Sequence, residues 1–257
     1  MRVVSLVPSL TETAISMGVT PVACTRFCEQ PQLRHVGGTK NPDLDAVLAL
    51  RPDVVLMDRE ENRREDAEAL RSAGIDVHVT AVRSVADVAP MLVLLATRLA
   101  VRYEPVDPVE ADPVEPDPVE PDPVEADPAS LAERERTTCL TAFVPIWRRP
   151  WMTISSETYG SSLLAAIGVA NVFAGHPDPY PTVTLDDVSA AGPRIVLLPS
   201  EPYSFEPRHL DEIRAALPGV ITLPIDGQDL FWWGARTASA VGRLRESIDQ
   251  AAGSTGP

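Results

Sequence analysis

The side chains best suited to molecular recognition fall in a few short stretches of the 257-residue chain. Pro145-Ile-Trp-Arg-Arg-Pro-Trp151 sets Trp147, Arg149 and Trp151 close together. Flat aromatic faces beside guanidinium groups suit a large, flat or anionic molecule. Arg26 to Pro31 (RFCEQP) contributes Arg26 and Gln30, and Asp58 to Asn62 (DREEN) contributes Asp58 and Glu61 directly after an apolar run. Tyr180 stands in the proline-rich loop HPDPYP, Glu201 in PSEPYSF, and Asp229 and Trp232 in DGQDLFWW. Such groups stack, orient charge and hydrogen bond. They are not a catalytic set, since His35, His78, His176 and His209 are scattered with no nucleophile and base at motif spacing. Gly37-Gly38-Thr39-Lys40 lacks the P-loop spacing and the Ser/Thr after Lys, so it is no nucleotide signal. Cys24, Cys28 and Cys139 make an odd set whose one CxxxC spacing is a weak metal signal. We read them as reduced thiols.

The elements that must position these groups are betrayed by an internal echo. Leu44 to Met57 (LDAVLALRPDVVLM) and Leu185 to Leu198 (LDDVSAAGPRIVLL) match at seven of fourteen positions at a constant offset of 141. Each copy is a short helix, a proline and a β-branched apolar run that reads as a buried strand. Shared fold chemistry can produce such a match, and so can two similar lobes. We follow the second reading: an α/β fold of two Rossmann-like lobes joined by a helix, with a ligand cleft between the lobes. Asp58 and Glu201 then follow equivalent strands, where α/β folds place ligand contacts.

Further signals fix the flanking elements. Arg2 to Leu6 is expected as a strand, and Ser9 with Glu12 as a capping box opening the first helix. Asn41 and Pro42 mark the start of the first echoed helix. Ser84 to Val101 is expected as a well-buried helix with Val88, Met91, Leu92, Leu95 and Leu99 on one face. In the last helix Leu230, Trp233, Thr237, Val241, Leu244 and Ile248 form one stripe, which assigns Trp233 to the core and leaves Trp232 for a ligand.

The formal net charge of −15 is concentrated, since the ten acidic residues of 104–127 face no basic one and the remainder carries only −5. No basic footprint for nucleic acid is present. Val106 to Ser130 repeats VDPVE-like pentapeptides, and proline at that density excludes helix and sheet interior. An extended, acidic low-complexity insertion over 104–130 is expected. The organisation read from the chain is an N-terminal lobe 1–83, a connecting region 84–138 and a C-terminal lobe 139–257. The chain as written shows no export signal, which points to the cytoplasm, while a chain trimmed of its leader would act outside it.

Taken in order, RVVSLVPSLTE, TRFCEQP, VGGTKNPDLDAVLALRPDVVL, EENRRED, PIWRRPWM, YGSSLLAAIGVANVF, YPTVTLDDV and DLFWWGARTA resemble the helical-backbone (class III) substrate-binding proteins. The resemblance is to their vitamin B12-binding (BtuF-like) group and its helical backbone metal receptor relatives. It implies a non-enzymatic protein that holds cobalamin, haem or a metal chelate as ligand, without a catalytic cofactor. It also implies pocket contacts at Pro8, Gln30, Asp58, Tyr159, Tyr180 and Asp229. An ABC transporter permease is the implied partner, and a monomer is expected. The rival from another class is an intracellular enzyme or cofactor-handling protein that reuses the same fold.

Overall fold

The computed structural model describes residues 1–104 and 140–253, so the acidic repeat, the stretch expected as connector after residue 104, and Cys139 lie outside the described residues. Two compact units are formed, the first by the described residues of Met1–Val106 with Phe231–Ala240, the second by those of Asp107–Leu230 with Val241–Pro257.

In the first unit, β1 (Val3–Ser5), β2 (Ala23–Cys24), β3 (Arg34–His35), β4 (Val54–Asp58) and β5 (Val77–Thr80) form one parallel sheet in the order β3-β2-β1-β4-β5. Val54 to Asp58 is buried at every position, as a central parallel strand covered on both faces requires. The helices α1 (Pro8–Ser16), α2 (Leu44–Ala49), α3 (Arg64–Ser72) and α4 (Val88–Leu99) complete the unit. Val4, Leu6, Val47, Val55, Met57 and Leu70 are central to its core.

In the second unit, β6 (Leu140–Phe143), β8 (Val169–Asn171), β10 (Ile195–Pro199) and β11 (Ile221–Ile225) are parallel in the order β11-β10-β6-β8. A separate antiparallel pair joins β7 (Trp151–Met152) to β9 (Thr182–Val183). Its helices are α5 (Tyr159–Ala166), α6 (Leu185–Ala191), α7 (Pro207–Ala216) and α8 (Gly227–Phe231), and α9 (Thr237–Gly253) closes the chain.

The echo in sequence is an echo in topology. The α2 to β4 and α6 to β10 segments coincide at the same offset, and β4 and β10 occupy equivalent inner places in their sheets. Even the turn between helix and strand repeats, because Arg51 (φ 44°) and Gly192 (φ 62°), also 141 positions apart, both take the left-handed conformation. The expectation of an α/β fold with two similar lobes is borne out at this level.

Several local expectations are corrected. Helix α1 starts at Pro8 with Val7 as N-cap and no side-chain cap, so Ser9 and Glu12 form no capping box. Proline at the first helical position needs no amide partner, which makes a side-chain cap dispensable there. Helix α2 starts at Leu44 with the Asp43 carboxylate accepting from the Ala46 amide, two residues past the Asn41-Pro42 signal. Asn41 and Pro42 instead lie in a turn in which Gly37 bridges to Pro42. Leu230 and Trp233, expected within the last helix, precede it: Leu230 lies in the separate short helix α8 and the last helix starts at Thr237. The buried faces agree better with the pattern: Val88, Leu92, Leu95 and Leu99 of α4 are buried, and so is the whole stripe from Leu230 to Ile248, Trp233 included.

Candidate functional site

Five residues singled out in the first unit stand at or just beyond the carboxyl ends of its strands. Pro8 opens α1 just after β1, Arg26 and Gln30 follow β2, Asp58 ends β4 and Glu61 follows it. One side chain that the sequence reading passed over ties these loops together. Asn62 donates to Leu6 O at 3.1 Å and to Thr39 O at 2.9 Å, and accepts from the Asp58 amide at 2.8 Å. It is 7 % exposed, so these bonds form away from water and hold the ends of β1 and β4 and the Gly-Gly-Thr-Lys loop in one arrangement. Lys40, from the same loop, donates to Glu60 O. The Arg26 guanidinium lies over the Phe27 ring at 4.9 Å.

Asp58 is 5 % exposed and accepts from the Thr80 hydroxyl at 2.6 Å and the Glu60 amide at 2.9 Å. Burial nevertheless pushes its carboxyl above the ordinary carboxylate range, against the pull of those two donors. Glu61 is also pushed up, by desolvation first, with Lys40 opposing and the Asp58 and Glu60 carboxylates adding to it. Because Glu61 keeps an exposed surface, water screens that effect and it is no measure of stability. The loop therefore offers closely spaced carboxyls, one buried and one reachable, on a rigid base. Trp232, half-buried, carries the Arg236 guanidinium over its ring at 4.9 Å, and Arg236 reaches Glu12 of α1.

In the second unit the tryptophan-arginine stretch divides into two kinds of residue. Trp147 is 45 % exposed and meets the Tyr203 ring edge-on at 5.2 Å. Trp151 is 9 % exposed, lies parallel to Phe205 at 6.1 Å and belongs to the core. The order is fixed by strand pairing, since Trp151 sits in β7 opposite Val183, which turns it inward. Arg148 lies over Trp151 at 5.7 Å and ion-pairs with Glu212, whereas Arg149 is exposed in the left-handed region at φ 70°. Tyr203 in turn contacts Phe205 at 4.9 Å, so the loops after β6 and β10 share one aromatic cluster.

The remaining predicted residues of the second unit differ in exposure and in partners. Tyr180 is half-buried in a loop held by Thr153 N to Pro181 O and Ser155 N to Pro179 O, both 3.0 Å. Tyr159 is 5 % exposed at the start of α5. Glu201 is half-buried beside Gly227, where an added Cβ would meet the Glu201 amide at 2.6 Å. Asp229 is 3 % exposed and engages Arg243 through both oxygens at 2.6 Å. A concavity of about 330 Å³ lies next to Phe205, bounded also by Leu198, Leu210, Ile225, Asp211 and Arg214.

Among the described residues no group of three or more His, Cys, Asp or Glu side chains is arranged to hold a metal ion, and no helix is long and apolar enough to cross a membrane. What the geometry offers is hydrogen bonding, charge and ring surface on rigid supports, which is the equipment of a binding protein.

Comparison with known proteins gives the class first. Residues 3–104 match the family described as "Periplasmic binding protein". The resemblance to helical-backbone substrate-binding proteins read from the sequence is borne out. Among particular relatives, the vitamin B12-binding protein of Pectobacterium carotovorum is 26 % identical over 207 residues, 78 % of this chain and 72 % of that protein. That of Photorhabdus laumondii is 27 % identical over 205 residues, 77 % of this chain and 70 % of its own. Among solved structures, the periplasmic vitamin B12-binding protein of Vibrio cholerae superposes with a TM-score of 0.67 at 17 % identity, covering 98 % of this chain and 97 % of that one. The periplasmic haem-binding protein of Roseiflexus sp. RS-1 gives 0.70 at 20 % identity, covering 98 % of each chain. At these identities the structural likeness speaks for the fold.

Proposed function

We propose that this chain is a non-enzymatic binding protein for a metal-containing small molecule with a broad ring system, a corrinoid or haem. The observation that carries the reading is the run of vitamin B12-binding relatives along more than three quarters of the chain. Haem enters because similarly folded proteins bind it. In the second unit Trp147, with Tyr203 behind it, supplies exposed ring surface, and Arg149 an exposed cation for a propionate or phosphate. Tyr180 and Glu201 are the further contacts we assign there. In the first unit Pro8, Arg26, Gln30, Asp58, Glu61 and Trp232 are the contacts, with Asn62 and Lys40 setting the shape of the loop. Apolar area supplies most of the affinity of such sites, and a few placed polar groups supply orientation.

The test is titration of the purified chain with cyanocobalamin and, separately, with haemin, followed by tryptophan fluorescence, the visible absorption spectrum and native mass spectrometry. A one-to-one adduct at micromolar concentration with quenched fluorescence is expected. Absence of an adduct with either compound overturns the reading.

We extend the reading to delivery: an ABC-type permease is the partner, and the protein acts outside the cytoplasmic membrane, as the names of its solved relatives favour. Fractionation of source cells with ligand-dependent co-purification of membrane components tests both. Recovery with cytoplasmic markers alone overturns them.

A further inference from the structure

Two thiols that recognition of a ligand does not use are buried together at the carboxyl end of β2. Cys24 is 0 % exposed and Cys28 5 %. Cys28 is carried back by a turn in which its amide donates to Thr25 O at 3.1 Å. Two hydroxyls converge on its sulfur, Thr11 Oγ1 from α1 at 3.2 Å and Thr25 Oγ1 at 3.3 Å. The Thr11 proton has a second acceptor in Val7 O at 2.9 Å, so Thr25 is the donor best placed to serve the sulfur.

We propose that Cys24 and Cys28 are a peroxide-reactive dithiol, Cys28 the attacking sulfur and Cys24 the resolving one. The surroundings divide the labour between them. The Cys24 thiol, as hydrogen-bond donor, draws the Cys28 thiol below its ordinary value against the effect of burial, and the two threonine hydroxyls add to this. Cys24 is correspondingly held protonated, first by its bond to Cys28 and then by burial. The hydroxyls of Thr11 and Thr25, within 3.3 Å of the Cys28 sulfur, mark Cys28 as the sulfur favoured for attack. Other titratable groups nearby point to solvent: Arg26 and Glu29 on the same loop and His35, which pairs with Cys24 across β2 and β3, are exposed.

The chemistry balances with hydrogen peroxide as the oxidant. The Cys28 thiolate attacks one peroxide oxygen, the O–O bond breaks, and the departing hydroxide takes a proton to become water, leaving a sulfenic acid on Cys28. The Cys24 sulfur then attacks the Cys28 sulfur, the S–O bond breaks, and the leaving hydroxide takes the Cys24 proton as a second water. Two thiols have lost two electrons and become a disulfide, and low-molecular-weight thiols reverse the change.

The experiment uses the whole chain with Cys139→Ser, which removes the third thiol. The protein is exposed to hydrogen peroxide at pH 7, alkylated and digested with trypsin. Arg26 lies between the two cysteines, so a disulfide joins two separate tryptic peptides. The expected result is that linked pair, with the intact mass lower by about 2 Da and restored by dithiothreitol. Adding Cys24→Ser should halt the reaction at a sulfenic acid on Cys28 that dimedone captures. Thr25→Val should slow oxidation by about threefold or more, as loss of one hydrogen bond to a thiolate implies, with folding checked by circular dichroism. Oxidation only in denaturant, or only as cross-linked dimers, overturns the proposal.

Discussion

Glu12 in α1 and Arg236, 224 positions later, form a two-pronged ion pair with bonds of 2.8 and 2.9 Å inside the first unit. The bond fastens the last part of the chain to the first helix, and the same guanidinium covers Trp232. With Arg236 only 15 % exposed, removing its partner leaves a poorly solvated charge. Glu12→Gln is expected to lower stability by about 1.5–3 kcal/mol, the range for hydrogen bonds to charged groups, read by urea unfolding. Tryptophan emission should shift with it. A change under half a kcal/mol, with unaltered emission, would show the pair to be incidental.

Asp58 is held for something other than stability. Its folded-state value lies above the unfolded one, so the stability it contributes is complete in acid and is lost as pH rises from about 4 through the raised value. Asp58→Asn keeps an oxygen for the Glu60 amide and carries no charge. We expect the variant to unfold at higher urea than the natural protein at pH 7, with the gap closing by pH 4, and to bind ligand more weakly. Equal urea midpoints for the two proteins at both pH values would contradict the account.

The two tryptophans of PIWRRPW should separate cleanly under mutation. Trp147→Ala removes an exposed ring and is expected to change stability by no more than about 0.5 kcal/mol while weakening ligand binding tenfold or more. Trp151→Ala opens a cavity beside Phe205 and should cost about 3–5 kcal/mol. Unfolding curves and titrations on the same preparations decide it, and equal loss of stability in both would reverse the assignment.

At residue 51 the first unit keeps an arginine where its counterpart has Gly192. A side chain in the left-handed region is strained by about 1–2 kcal/mol, partly offset by the entropy glycine loses on folding. Arg51→Gly is therefore expected to raise stability by about 0.5–1 kcal/mol. Differential scanning calorimetry showing a lowered midpoint would mean that the guanidinium holds a contact worth more than the strain.

What the sequence could reveal follows from the range of its signals. The paired segments 44–57 and 185–198 were visible because a helix, a proline and a buried parallel strand each leave a local pattern, and the strands do occupy equivalent places in two sheets. Cap positions were less legible. Asn41-Pro42 carries a helix-start signal, yet Asp43 holds the α2 amide, because the preceding residues are drawn into a turn with Gly37. Asn62 looked like one more polar residue in a charged run. Only its bonds to the distant Leu6 and Thr39 carbonyls, with a third to the nearby Asp58 amide, make it a keystone.

From its own order of residues this chain determines an α/β architecture with an internal echo and which faces of its helices are buried, because periodicity and turn chemistry act over a few neighbours. The tertiary structure alone decided which tryptophan meets solvent, that Glu12 answers Arg236, and that Thr11 stands by Cys28. Each of those depends on where strands far apart in sequence pair and pack, and burial is settled by that packing and not by the identity of the residue.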